Sequence, residues 1–184
     1  SIEEILREIE ELIKDLLRKA EELLKESEKR SKELKDEMKR SNEEIRKLIE
    51  DLRRRAKDRV EDKDKVKRLE DDLRRVHEEH KKRLDELAKK LEDANRRARE
   101  ILDKIRRRLE RLLEEAEDIV RKVKDEDVIR DLLRRVREDI DRLRKELEKV
   151  VRELRRIHEE VRRDLKRVHE EVRKRIEDLE EELK

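Results

Sequence analysis

No glycine and no proline occurs anywhere in the 184 residues of this chain. These two residues form most tight turns, since glycine accepts positive φ angles and proline fixes φ near the value that many turns require. We therefore expect long elements with few connections. Aromatic residues and Thr, which favour strands, are absent. Leu, Ala, Glu, Lys and Arg are strong helix formers, so the sequence predicts an all-α fold.

Apolar residues recur at three- and four-residue spacing along almost the whole chain. In the first third they stand at positions 2, 5, 6, 9, 12, 13, 16, 17, 20, 23 and 24, and again at 34, 38, 45, 48, 49, 52, 56 and 60. This spacing places one apolar stripe on an amphipathic helix. A charged fraction of 63% is also typical of disordered chains, but a disordered chain has no need of a stripe.

The stripe breaks twice, near residues 61–64 and 124–127. Ser1, Asp64 and Asp127 are predicted as the N-caps of three helices over residues 2–61, 65–123 and 127–183. The short connections require neighbouring helices to run antiparallel. We therefore expect one domain, residues 1–184, formed by an antiparallel, coiled-coil-like three-helix bundle with helices about 90 Å long. Seven- and eleven-residue rhythms are mixed, which predicts a nearly straight bundle.

Charge is balanced, with 59 Lys and Arg against 57 Asp and Glu. Binding to nucleic acid or to a membrane surface needs a sustained basic field, so we expect neither partner. No membrane-spanning stretch and no targeting signal is recognisable. The chain has no Cys, which excludes disulfides and thiolate chemistry. We predict a soluble protein that requires no cofactor and no partner.

Only ten residues are neither charged nor apolar, and nine of them lie in the middle stretches of the predicted helices. Folding the chain at its two breaks places these nine at two heights along the bundle. We predict two buried polar layers held by hydrogen bonds, which would specify helix register because a slip leaves a polar group without a partner. One layer comprises Ser27, Ser31, Asn95 and His158, and the other comprises Ser41, Asn42, His77, His80 and His169.

Three other interpretations of these residues are weaker. They could be incidental exposed substitutions, although matched heights argue against that. His77 and His80 have i, i+3 spacing and His169 could add a third nitrogen, but this is not the HExxH pattern of zinc sites, and Ser and Asn suit hydrogen bonds better than zinc. Nucleophilic catalysis by Ser41 and His80 would need an oxyanion hole and a cleft. We predict neither a metal site nor an enzyme.

An aliphatic core, three helices of equal length and a surface of Glu, Lys, Arg and Asp extend over all 184 residues. In these features the chain resembles de novo designed helical bundles, and among them those with buried hydrogen-bond networks. Natural spectrin-like three-helix repeats share the topology, but they normally contain aromatic residues and Gly or Pro in their linkers. The resemblance implies a designed structural scaffold or model protein without a natural biochemical activity.

Two further functions remain open. Buried histidines could make the bundle a pH-responsive conformational switch, since histidine changes charge near neutral pH. The amphipathic helices could instead bind a partner helix or lipid, although no spare apolar surface is evident. We expect a monomer. A domain-swapped or self-associated oligomer using the same contacts is the alternative, and either handedness of the three-helix arrangement satisfies the sequence.

Overall fold

The computed structural model describes all residues from 1 to 184 and contains three α-helices and no strand. The helix α1 spans Ile2–Arg59, α2 spans Lys63–Lys122 and α3 spans Glu126–Glu182. The three helices pack against each other, which confirms the predicted all-α three-helix bundle. α1 ends two residues before the predicted boundary at 61 and α2 begins two residues before 65, while the other internal ends differ by one residue.

The side chains that cap the helices lie two positions earlier than predicted for α2 and α3. Asp62 accepts hydrogen bonds from the backbone N–H groups of Asp64 and Lys65, at 3.0 and 3.3 Å. Asp125 accepts one from the N–H of Asp127 at 3.0 Å. The prediction of Asp64 and Asp127 as N-caps was therefore wrong. The side chain of an N-cap accepts hydrogen bonds from the backbone N–H groups of the second and third helical residues. Asp64 and Asp127 are themselves such donors.

At the start of α1 the predicted cap is confirmed. The backbone N–H of Glu4 donates to Ser1 Oγ at 3.3 Å. Glu3 and Glu4 occupy the first turn, where negative charge interacts favourably with the helix dipole.

The structure divides into two compact units, each of which contains a portion of all three helices. The first unit comprises residues 1–29 and 94–156. Its core consists of branched aliphatic side chains from the three helices, among them Ile9 and Ile13 of α1, Leu109 of α2, and Ile129 and Ile140 of α3.

Within the first unit α1 and α3 run parallel. The amino group of Ser1 lies 3.8 Å from Glu126, and further along both helices Glu8 pairs with Arg137. Residue numbers therefore increase in the same direction on the two helices.

The second unit comprises residues 30–93 and 157–184. Its core has the same aliphatic character, with Ile45 and Leu52 of α1, Leu73 of α2, and Val168 and Val172 of α3 almost fully buried.

Ion pairs across the helices of the second unit show their directions. Lys35 pairs with Glu92 at 3.2 Å, and Lys57 pairs with Glu70 at 3.4 Å. Numbers on α1 thus increase as those on α2 decrease, so the two helices are antiparallel, as the short connection requires.

Candidate functional site

A group of polar side chains that reaches into the core of the second unit lies around Ser41. This residue occupies the buried face of α1, between the core residues Met38 and Ile45. A buried hydroxyl group without a hydrogen-bond partner is costly, because it loses its bonds to water and gains nothing in exchange. Ser41 therefore needs partners from the neighbouring helices.

Two histidines supply those partners. Ser41 Oγ lies 3.2 Å from Nε2 of His80 on α2 and 2.7 Å from Nδ1 of His169 on α3. On its other side, His169 places Nε2 at 3.3 Å from the Oε2 atom of Glu44. One hydroxyl thus connects all three helices of the second unit, and the chain of contacts ends at a carboxylate that is 67% exposed. We call His80, Ser41, His169 and Glu44 the Ser41 cluster.

His80 is the most buried member of the Ser41 cluster, with no solvent-exposed surface. Its pKa is lowered from 6.5 to about 4. Burial is the largest cause, since a charged imidazolium is poorly solvated in an aliphatic core. Repulsion from positive charge on His169, His77 and Arg83 lowers the pKa further. His80 is therefore neutral at pH 7.

Two predicted members of this layer do not join the cluster by hydrogen bonds. His77 and Asn42 are partly buried, and the buried atoms His77 Nδ1 and Asn42 Oδ1 have no hydrogen-bond partner. Both residues are adjacent to the apolar stripe rather than on it, which accounts for their intermediate exposure. Repulsion from a positive charge on His77 is nevertheless one of the causes of the lowered pKa of His80.

The other predicted layer is held by hydrogen bonds in both units. In the first unit the hydroxyl of Ser27 donates to Oδ1 of Asn95 over 3.0 Å, and both side chains are buried. In the second unit Ser31 Oγ lies 3.0 Å from Nε2 of His158, and both are buried there as well. Folding the sequence at its breaks had grouped these four residues together.

Glu44 was not identified from the sequence. A single exposed Glu among 57 acidic residues carries no compositional signal. The signal that could have found it is its spacing: Glu44 follows Ser41 by three residues, and side chains three apart are neighbours on a helix surface. A side chain at that position can reach the same neighbouring helix as Ser41.

The chemistry available to the Ser41 cluster is the exchange of protons and hydrogen bonds. A hydroxyl, an imidazole and a carboxylate in series have the order of a Ser-His-acid triad. Here, however, Ser41 is buried and its oxygen also contacts His80, so a substrate has little access to the hydroxyl. No group of three or more His, Cys, Asp or Glu side chains has an arrangement that could hold a metal ion.

Exposed apolar surface is sparse. Leu48 and Val128 are the large apolar residues that are exposed. In the first unit a groove of about 480 Å³ between α1 and α3 is lined by Leu16, Leu23 and Val151, together with charged residues of both signs. None of the three helices has a segment apolar enough to cross a membrane.

Comparisons of the chain with protein-family models, with curated proteins and with solved structures give no match.

Proposed function

We propose that this chain is a designed structural scaffold whose buried polar side chains specify how its helices pair. Its support lies in the features that resemble designed bundles: an aliphatic core, a charged surface without Gly or Pro, and three helices of nearly equal length. The connections also match each other, since Asp62 and Asp125 cap the second and third helices in the same way. The function of such a scaffold is to fold into one defined arrangement of helices.

The observation that carries this proposal is the position of the Ser41 hydroxyl. It is within hydrogen-bond distance of one histidine on α2 and one on α3. Any other pairing or register would leave these buried groups without partners, at a cost of about 1–3 kcal/mol for each unsatisfied group. Aliphatic packing alone tolerates alternative arrangements more readily. The cluster therefore favours one arrangement of the three helices over its competitors.

The test uses two variants at pH 7.5. Ser41→Ala leaves His80 and His169 without their shared partner, and we expect a loss of about 1–3 kcal/mol in the free energy of unfolding measured by denaturant titration. The triple variant Ser41→Ala/His80→Leu/His169→Leu removes the hydroxyl group and both imidazoles of the Ser41 cluster, and we expect its stability to return to the parent value or exceed it.

The triple variant also separates stability from specificity. We expect it to show additional oligomers by light scattering, or broadened amide resonances, because aliphatic side chains accept several registers. The proposal is wrong if Ser41→Ala is as stable as the parent, or if the triple variant remains a single well-ordered species.

A second candidate function, a pH-responsive switch, is favoured by the burial of His80. Its pKa in the folded chain, about 4, lies below the ordinary value of 6.5. Between these two pH values the unfolded chain binds a proton that the folded chain does not. The stability contributed by neutral His80 is therefore complete above pH 6.5 and is lost as the pH falls from 6.5 to 4. A difference of this size corresponds to about 3 kcal/mol.

A further inference from the structure

The hydrogen bonds of the Ser41 cluster have a direction, and both of its ends indicate which one. A neutral imidazole carries a proton on one nitrogen and a lone pair on the other. A hydroxyl group donates one hydrogen bond and accepts others. Fixing the proton at one end of such a series therefore fixes it at every member.

The exposed end is Glu44. An ionised carboxylate repels a lone pair and attracts an N–H, so its contact at 3.3 Å favours the tautomer of His169 with the proton on Nε2. His169 Nδ1 is then the acceptor, and the Ser41 hydroxyl donates to it over 2.7 Å. Ser41 Oγ in turn accepts from His80 Nε2–H at 3.2 Å.

The buried end of the Ser41 cluster, His80, supports the same direction of hydrogen bonding. His80 Nδ1 is buried and has no hydrogen-bond partner. When His80 donates to Ser41 and Ser41 donates to His169, this atom carries only a lone pair. In the reverse direction it would carry an N–H without an acceptor, and orphaned buried N–H groups are rarer than under-satisfied acceptors. The reverse direction would also turn the lone pair of His169 Nε2 toward the Glu44 carboxylate.

We propose that Glu44 is a positioning residue that sets the tautomers of His169 and His80 through Ser41. Both histidines then carry their proton on Nε2 at neutral pH. The only lone pair left on His80 is that of the buried Nδ1, so acid must place an N–H where the core offers no acceptor. This consequence rests on the proposed pH-responsive function, whereas the tautomer assignment itself does not.

The charged groups around His80 support this consequence. From α2 it meets His77 and Arg83, and from α3 it meets His169, all of which disfavour added positive charge. Arg83 is itself paired with Glu171 at 2.7 Å. From α1, Ser41 contributes a hydroxyl group, and the carboxylate of Glu44 contacts His169 rather than His80.

The test is long-range 1H–15N NMR of the histidine rings in the full chain at pH 7.5, which reports the tautomer of each ring. We expect the Nε2–H form to exceed the Nδ1–H form at least about fivefold for both His80 and His169, the preference that one hydrogen bond supplies. Glu44→Lys replaces the acceptor by a donor. We expect it to lower this preference at His169 at least fivefold.

The matched control is Glu33→Lys, which makes the same charge change at another exposed position of α1, about 16 Å from residue 44 along the helix. We expect it to leave both tautomers unchanged. A dominant Nδ1–H form of His169 in the parent would overturn the proposal, as would an unchanged His169 in Glu44→Lys. The tautomers are measured on the folded protein at pH 7.5, whereas the pH-responsive function is measured as a loss of unfolding free energy in acid. A wrong tautomer assignment is therefore distinguishable from a wrong pH-responsive function.

Discussion

At the scale of single residues, the properties of His80 follow from its position on the buried face of α2. Its ring has no exposed surface and one hydrogen-bond partner, Ser41. Protonation would add a charge that neither water nor a carboxylate in the core can stabilise. The same side chain at an exposed position would titrate near its ordinary pKa and contribute little to stability.

The acid response of the bundle is predicted to depend on this residue. From pH 7.5 to 4.5 the parent should lose about 2–3 kcal/mol more unfolding free energy than His80→Leu. The reason is that only the parent has an imidazole at this position, which binds a proton in the unfolded chain and not in the folded chain. The measurement is a pair of denaturant titrations of each protein at the two pH values. The carboxylates of the two proteins titrate alike, so the difference isolates the histidine. Equal losses would contradict the pH-responsive function.

At the scale of helices, the caps show how one side chain fixes where a helix begins. Asp62 accepts two backbone N–H groups of the first turn of α2. Those groups have no partner within the helix. Asp64, two residues further on, lies inside that turn as a donor to Asp62, and its own carboxylate contributes through the helix dipole.

The two aspartates therefore make a matched pair of substitutions. Asp62→Ala should lower the free energy of unfolding by about 1 kcal/mol, the usual cost of losing an N-cap. Asp64→Ala should cost less, since no cap is lost. Denaturant titration of both variants provides the comparison. A larger loss for Asp64→Ala would contradict the assignment of Asp62 as the cap.

The helix α1 also differs in composition along its length. Residues 10–20 contribute Ile13, Leu16 and Ala20 to a core, with Leu12 and Leu17 packed against it. Between residues 27 and 41 the buried face carries three serines.

Fewer buried apolar contacts permit easier local opening. Amide hydrogen exchange should therefore be faster at residues 30–42 than at residues 10–20. The measurement is native-state exchange followed by NMR or mass spectrometry. Slower exchange at residues 30–42 would show that the buried hydrogen bonds of the serines more than offset their poorer packing.

At the scale of the whole molecule, the apolar stripes of the three helices are largely buried against one another. Large apolar side chains are exposed only at Leu48 and Val128. Monomeric proteins commonly expose isolated apolar residues of this kind, whereas stable oligomers need a contiguous patch. The surface charge is nearly balanced, with 59 basic and 57 acidic residues.

We therefore predict that the protein is a monomer in solution. Size-exclusion chromatography with light scattering at several concentrations should give the mass of one chain throughout. A mass of two or three chains would contradict this prediction. A dimer whose mass persists on dilution would indicate exchange of helices between chains.

The sequence by itself determined the number of helices, their buried faces and their ends to within two residues. These are local properties, since a repeat of 3.6 residues and a capping side chain act within a few residues of each other. Only the tertiary structure decided that Ser41 lies between His80 and His169, that Ser31 meets His158, and that Glu44 reaches His169. A register difference of two residues moves a side chain by about 3 Å along a helix, which is as long as a hydrogen bond, and no local pattern specifies register that closely.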